Sequence, residues 1–499
     1  MGNHILLTHT MPNDHTIDLH AIARKAMAQY GFQFQFPKPV IEEAKALNAE
    51  ELLKNRQSVL VDLRSLLWSS IDNAHSLDLD QLEYCDRGLN QEIMVKVAIA
   101  DVDLFVPKQS QVDQYAAHNG TSVYAGIETF PMLPERLSTD LTSLQAKQDR
   151  PAIVVEFAVL ADGNIQRGNV YRALVCNKAK LAYQEIGDWL EGKGSLSSRL
   201  SQITGLEEQL RLQDEAAERL KSFRMKQGAL ELDTIEANLV VQEGTVTALE
   251  VPRHNRARYL IENFMIAANG TMVSFLEKEG IPMIQRAVRT PKNWMGIREV
   301  AVACKETLPT EPDSRALSQF LLRQKAVDPE HFPDLSLTIV KLLGAGEYVV
   351  LEPGKPSSGH FGLAVMDYTH ATAPNRRYVD VIIQRLLKAI LDKQSSPYSQ
   401  EELTGHAALC TDRDKAAKKV ERFMRKAAAA VLLGDRLGES FDAMVTGVSE
   451  KGNYVRLISP PVEGRVIRGE QGIMVGQKVR VRLIAIDPYK GFIDFELVG

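Results

Sequence analysis

The chain of 499 residues is poor in cysteine, with only Cys85, Cys176, Cys304 and Cys410 scattered along it. None stands at metal-binding or redox spacing, which excludes a disulfide framework and fits a reducing compartment. No apolar run approaches the ~20 residues a membrane-spanning helix needs. The N-terminus lacks a basic-then-apolar signal. The expected location is therefore cytoplasmic, and the Asn119-Gly120-Thr121 and Asn269-Gly270-Thr271 sequons carry no meaning there. An excess of positive charge is also missing. A formal net charge of −5 is not the footprint of a chain that coats nucleic acid with its whole surface, so any such contact must use local patches. What is present, 44% apolar and 25% charged residues, is ordinary for a soluble globular protein with one large domain and smaller ones.

Three regions follow from pattern. Residues 1–57 read as a helical segment, with Ala21, Ile22, Ala26, Met27 and Tyr30 on an apolar stripe and Pro37 and Pro39 expected to break it. Residues 58–436 mix strand and helix. Ile93, Val95, Val97 and Ile99 alternate as in a strand with one buried face. Val154–Leu160, then Asp162-Gly163, then Val170–Val175 predict a hairpin, since Asp-Gly supplies the positive φ of its turn. Arg256 to Lys278 predicts a helix closing near Gly280, and 401–434 a second long one. Residues 437–499 carry short alternating runs (Phe441 to Val445, Tyr454 to Leu457, Val479 to Leu483, Phe492 to Phe495) with turns at Lys451-Gly452-Asn453 and Tyr489-Lys490-Gly491. That spacing predicts a small β-barrel.

The segment Ile71 to Gln81 carries the chemistry. It sets Asp72, Asp78 and Asp80 at i, i+6 and i+8 after the apolar Leu66-Leu67-Trp68. Clustered carboxylates repel unless a cation neutralises them, and oxygen donors without Cys or His suit a hard ion such as Mg²⁺ or Mn²⁺. On spacing alone a solvated turn or a Ca²⁺ loop is as good a reading. Gln81 and the lack of a glycine at the sharp turn argue against an EF-hand.

A second segment runs from Gly359-His360-Phe361-Gly362 through Tyr368-Thr369-His370 to Pro374-Asn375-Arg376-Arg377, ahead of the helix-like Val381, Ile382, Leu386, Leu387 and Ile390. Two cations at a helix start oppose the helix dipole. A salt-bridged surface pair is the common explanation, yet guanidinium groups are the preferred bidentate ligands of phosphate. Acidic groups with an arginine pair suit phosphodiester cleavage. A basic run at 411–426, with Arg413, Lys415, Lys418, Lys419, Arg422, Arg425 and Lys426 against Asp412, Asp414 and Glu421, is either a solvated helix face or a track for a phosphate backbone.

These two segments resemble the hallmark motifs of the RNase II/RNase R exoribonucleases, the RNB family. The resemblance extends through Val97 to Val102, Gly120 to Tyr124, Pro131 to Ser138, Gly228 to Asp233 and Leu260 to Met265, covering roughly residues 60 to 435. It implies an α+β RNB catalytic domain with the site at the bottom of a narrow channel. Residues 1–57 are a short helical segment, too short for the cold-shock pair such relatives usually carry, and 437–499 resemble an OB-fold RNA-binding domain. The implied activity is processive 3′→5′ hydrolysis of single-stranded RNA to nucleoside 5′-monophosphates. No membrane and no obligate protein partner are expected. Asp72, Asp78 and Asp80 match the acids that hold Mg²⁺ (Mn²⁺ possible), and Arg376 the catalytic arginine, supported by Arg377. Tyr124 matches an aromatic that stacks on RNA, and Glu421 an acid near the terminal nucleotide; a core aromatic and a solvated or structural glutamate are their ordinary alternatives. Tyr454, with Arg456, Arg465 and Arg468, offers stacking and charge on the tail, although eight Lys/Arg stand against eight Asp/Glu over 439–499.

The chain departs from the family at Gln81, where a fourth acid usually follows Asp80, and at Ala373 and Asn375 around Pro374. Gln81 keeps a second reading open, a catalytically weakened RNB-fold protein that binds RNA or a partner.

Overall fold

The computed structural model describes residues 17–54, 59–233, 237–242, 245–251, 254–449, 452–469 and 472–498. Its centre is a seven-stranded sheet in the order Val61–Asp62, Ile165–Cys176, Asp149–Val159, Ile93–Ala100, Gln81–Arg87, Ser69–Asp72, Ala179–Ala182. The outermost pairings are parallel and the inner ones antiparallel. The predicted hairpin is its longest pair, turning where Leu160 N–H donates to Asn164 O and Gly163 takes φ +87°. Alternation decides which face each strand buries. Val95, Val97 and Ile99 enter a core with Leu210, Ala217, Leu260 and Phe264, from the helices Leu206–Gln227 and Arg256–Lys278. Leu82 and Ala98 face the other way, with Trp68 and Val154.

Helix ends follow their capping signals. The Asn255 side chain accepts from Arg258 N–H to start Arg256–Lys278, and Gly280 follows its end with φ +66°. Ser399 and Glu402 form a capping box at the head of the 33-residue helix Gln400–Leu432. The prolines behave differently from expectation. The helix Leu19–Gln29 has already ended before Gly31 (φ +79°). Pro37 is instead the N-cap of the next helix, Lys38–Ala46, and Pro39 lies in its first turn. A first-turn proline costs no intrahelical bond because its missing N–H would have no partner there. The helix Leu19–Gln29 packs Leu19, Ile22, Ala26 and Met27 against Ala417, Val420, Met424 and Ala427 of the long helix.

The tail forms a closed five-stranded barrel, Ser440–Ser449, Gly452–Leu457, Glu463–Arg468, Phe492–Leu497 and Lys478–Asp487 in spatial order. Val455, Leu457, Val481, Leu483 and Phe495 fill it, and Ala429, Ala430 and Leu433 join that core from the long helix. The turn at 489–491 is as expected, with Gly491 at φ +65°; Lys451 of the other expected turn lies outside the described residues. Among the described residues no helix is long and apolar enough to cross a membrane.

Candidate functional site

The strand Ser69–Asp72 pairs in parallel with Ala179–Ala182, so Asp72 and Ala182 end side by side. The chain then turns, with Ser76 N–H donating to Asn73 O at 3.0 Å. It returns through Asp78 and Asp80 into Gln81–Arg87. Buried Leu79 anchors this return. Its N–H donates to Ser143 Oγ at 3.0 Å, and Ala100 N–H donates to Asp80 O at 2.9 Å. Asp78 and Asp80 are thus placed by an apolar side chain and backbone bonds rather than by each other.

The arginine segment arrives from the far end of the sequence. Asn375 N–H donates to Asp80 Oδ1 at 3.0 Å, and Arg376 Nε donates to Oδ2 at 3.2 Å. Asp80 is only 3% exposed. Burial lifts its carboxyl to about 7 and the charge of Asp78 pushes the same way, against the pull of Arg376 and the Asn375 N–H. Asp78 is also held up, by burial first and Asp72 second. The two arginines have separate tasks. Arg377 is the N-cap of the helix Tyr378–Leu391 and forks onto Asp380, Nε to Oδ2 at 3.0 Å and Nη2 to Oδ1 at 2.7 Å. Asp380 is fully buried and also accepts from Ala373 N–H at 2.7 Å. An acid in the first turn offsets the dipole cost foreseen for the arginine pair. The Arg376 side chain keeps 44% of its surface exposed.

Asp72, Asp78, Asp80, Tyr124, Arg376 and Arg377 line one cavity of about 390 Å³, and Gln81 is in its wall. Tyr124 is brought in because Ser122 N–H and Thr121 Oγ1 both donate to Arg376 O at 3.0 Å. Glu421 does not line the cavity; its Oε1 accepts from Tyr124 N–H at 3.3 Å, tying the long helix to the Tyr124 backbone. Tyr454 is on the barrel strand Gly452–Leu457, half-exposed and away from the cavity lining. The basic run on the long helix is partly spent on internal bonds. Arg413 donates to Tyr30 O and Gly31 O and sits over the Phe32 ring, while Asp414 takes Arg286 and Lys418.

Two lining residues carry no sequence signal. Arg258 stacks over Tyr183 at 4.4 Å and donates through Nη2 to Asn73 Oδ1 at 3.1 Å. They come from the start of the Arg256–Lys278 helix and the residue after the parallel strand Ala179–Ala182, so only the sheet order brings them together. Among the described residues no three Asp, Glu, His or Cys side chains converge on one point as a formed metal cage. The donor set nonetheless fits a hard cation: three carboxylates on one cavity, two of them desolvated enough to hold their protons above the usual range.

The model of the RNB domain matches residues 60–393, which include all of these lining residues. The chain belongs to the RNB family. A second model, the RNase II-type exonuclease C-terminal S1 domain, matches residues 439–498, the barrel following the RNB domain. Ribonuclease R of Aquifex aeolicus is 29% identical over 98% of this chain and 71% of its own length. Ribonuclease R 1 of Lactococcus lactis is 26% identical over 95% of this chain, which spans only 60% of that relative. The structure of Mycoplasma genitalium RNase R in complex with ribose methylated single-stranded RNA shares the fold at TM-score 0.86 and 23% identity, over 96% of this chain and 78% of that one.

Proposed function

We propose that this protein is a processive, Mg²⁺-dependent 3′→5′ exoribonuclease that shortens single-stranded RNA and releases nucleoside 5′-monophosphates. The observation that carries the reading is the bond from Arg376 to Asp80 in a cavity also lined by Asp72 and Asp78. Asp72, Asp78 and Asp80 would hold Mg²⁺ (or Mn²⁺), which when bound supplies water activation and neutralises phosphate charge. Arg376 is fixed through Nε, leaving its Nη edge to bind a phosphate oxygen and stabilise the charge that grows there. The phenol ring of Tyr124, 42% exposed on the cavity wall, offers a stacking face to a base. Arg377, forked onto Asp380, orients its neighbour. Names of relatives as Ribonuclease R, and the RNA in one related structure, support the substrate class.

One observation favours a second reading. Gln81 lines the cavity where the family usually has an acid, and a neutral amide attracts a divalent ion less than a carboxylate does. A weakened, RNA-retaining protein would follow. Incubation of 5′-end-labelled single-stranded RNA with the protein separates the two. A Mg²⁺-dependent ladder receding from the 3′ end, stopped by EDTA and absent with DNA, is the expected result. Internal cuts or activity without metal overturn the exonuclease reading. Retention of intact RNA at any Mg²⁺ level establishes the second.

A further inference from the structure

Two residues beyond Gln81, on the same face of its strand, stands Glu83. It is fully buried, and neither carboxylate oxygen has a hydrogen-bond partner. An isolated carboxylate inside a protein is among the costliest groups to bury unless something compensates it. Among the described residues no cation pairs with it, and the one charge that bears on it is that of Asp72. The same face holds Cys85 and the apolar core with Ile71 and Val97.

Two further orphans surround it. Ser69 is the direct cross-strand partner of Glu83, is fully buried, and its Oγ is unbonded. Gln213, from the helix Leu206–Gln227, donates Nε2 to the Glu83 backbone O at 3.3 Å, while its own Oε1 is buried without a partner. One turn earlier on that helix, Gln209 does the same task completely: Oε1 accepts from Cys85 N–H at 3.0 Å and Nε2 donates to Cys85 O at 2.6 Å. Gln209 therefore closes the strand edge, whereas Gln213 leaves an acceptor over. Unused oxygens thus gather near one carboxylate, Ser69 Oγ from across the strand pair and Gln213 Oε1 from the helix.

This niche adjoins the cavity. Gln81, two residues before Glu83 on the same strand, lines the cavity wall, as does Tyr183, whose phenol is pushed up by burial first and then by the charges of Asp72 and Glu83. Asp72 also bears on Glu83, which burial holds well above the ordinary carboxylate range.

We propose that Glu83, Ser69 and Gln213 form an internal site for a hard cation, one pleat behind the acidic cavity, in which Glu83 supplies the negative charge missing at Gln81. An all-oxygen donor set suits such an ion, and residues two apart on a strand lie on one face, roughly 6.6 Å apart. The inference deepens the exonuclease reading and rests on it only for the purpose of the second ion.

Mn²⁺ titration of the RNA-free full-length protein tests it, by calorimetry and by the electron paramagnetic signal of free Mn²⁺. Wild type, Glu83→Gln, Asp80→Asn and the double variant Glu83→Gln/Gln81→Asp are compared. Glu83→Gln is expected to weaken one class of sites by roughly 10–100-fold while the Asp80-dependent class persists, and adding Gln81→Asp is expected to recover the lost class. An isotherm of Glu83→Gln that superimposes on wild type overturns the proposal and makes Glu83 a neutral buried acid with water. If Glu83→Gln does not fold, Ser69→Ala carries the test, with a several-fold weakening expected and wild-type binding overturning it. Should Asp80→Asn leave binding intact while Glu83→Gln abolishes it, the metal reading of the cavity fails and the internal site stands.

Discussion

Arg376 Nε donates to Asp80 Oδ2 at 3.2 Å, while the other oxygen of the same carboxylate accepts the Asn375 N–H. Even so, burial outweighs these bonds and holds the Asp80 carboxyl at about 7 instead of 3.8. An acid raised in the folded state binds its proton more tightly there than in the unfolded chain, so its contribution is fully present below about 4 and is lost as pH rises toward 7. The cation-free protein is therefore expected to lose stability between pH 4 and pH 7, on the order of a few kcal/mol from this group. Asp80→Asn should flatten that slope. Thermal unfolding in EDTA at pH 5 and pH 8 checks it, and parallel slopes for both proteins count against it.

The same carboxylate should be needed for cleavage more than for grip. Asp80→Asn keeps volume and removes charge, so cleavage should vanish with RNA affinity nearly unchanged. Filter binding alongside the end-label assay reads both; a joint fall would make Asp80 structural.

The neighbouring arginines should fail in different ways. Arg376→Ala removes a half-exposed group and should lower the rate by about 10²–10³-fold, as loss of a charge-stabilising donor does, at a smaller cost in stability because Asp80, held at about 7, takes up a proton when its partner is gone. Arg377→Ala leaves Asp380, fully buried, without its counter-ion and should cost about 3–5 kcal/mol of stability. Calorimetry and single-turnover cleavage together separate the roles, and equal stabilities for the two variants would refute the division.

Tyr124→Ala should leave cleavage intact and change the length of the final product. A stacked base is worth about 1–3 kcal/mol, and Tyr124 is held at the wall by the pairing of Thr121 and Ser122 with the Arg376 backbone. An unaltered product ladder on a sequencing gel would assign it to packing alone.

How far the sequence discloses this arrangement depends on where the information sits. That Asp72, Asp78, Asp80 and Arg376 share one cavity is foreshadowed by the two motif segments and their resemblance to the RNB family, since spacing alone leaves a solvated turn equally open. The hairpin and the Arg256–Lys278 helix are legible because alternation and caps are local signals. Tyr183 and Arg258 are not, since their place follows from the parallel pairing of Ala179–Ala182 with Ser69–Asp72. Arg413 reads as part of a basic surface because charge alone does not reveal that the Tyr30 and Gly31 carbonyls receive it. Glu83 reads as an ordinary strand residue until burial shows it without partners.

The barrel should depend on one ion pair more than on another. Arg456 Nη2 donates to Asp334 Oδ2 at 3.2 Å, and Nη1 stands 2.9 Å from Oδ1, at an angle too bent for a second hydrogen bond. The side chains are 12% and 7% exposed, whereas those of Lys478 and Glu330, 2.6 Å apart, are 55% and 67% exposed. Screening makes the exposed pair worth little. Removing one partner of the buried pair strands a charge, at about 3–5 kcal/mol. Arg456→Ala should therefore loosen the barrel from the helix Phe332–Leu343 and raise amide exchange along Gly452–Leu457. Lys478→Ala should do neither. If the barrel grips RNA ahead of the cavity, Arg456→Ala should weaken binding of long RNA while short RNA is cleaved as before. Since Arg456 is itself a cation on the proposed RNA-binding barrel, Asp334→Ala/Arg456→Ala serves as the control. That double variant removes the stranded charge and should recover part of the exchange protection. Recovery of protection without recovery of long-RNA affinity would assign Arg456 to RNA contact, and unchanged exchange in Arg456→Ala would show that the barrel is held by its apolar seam with Ala429, Ala430 and Leu433.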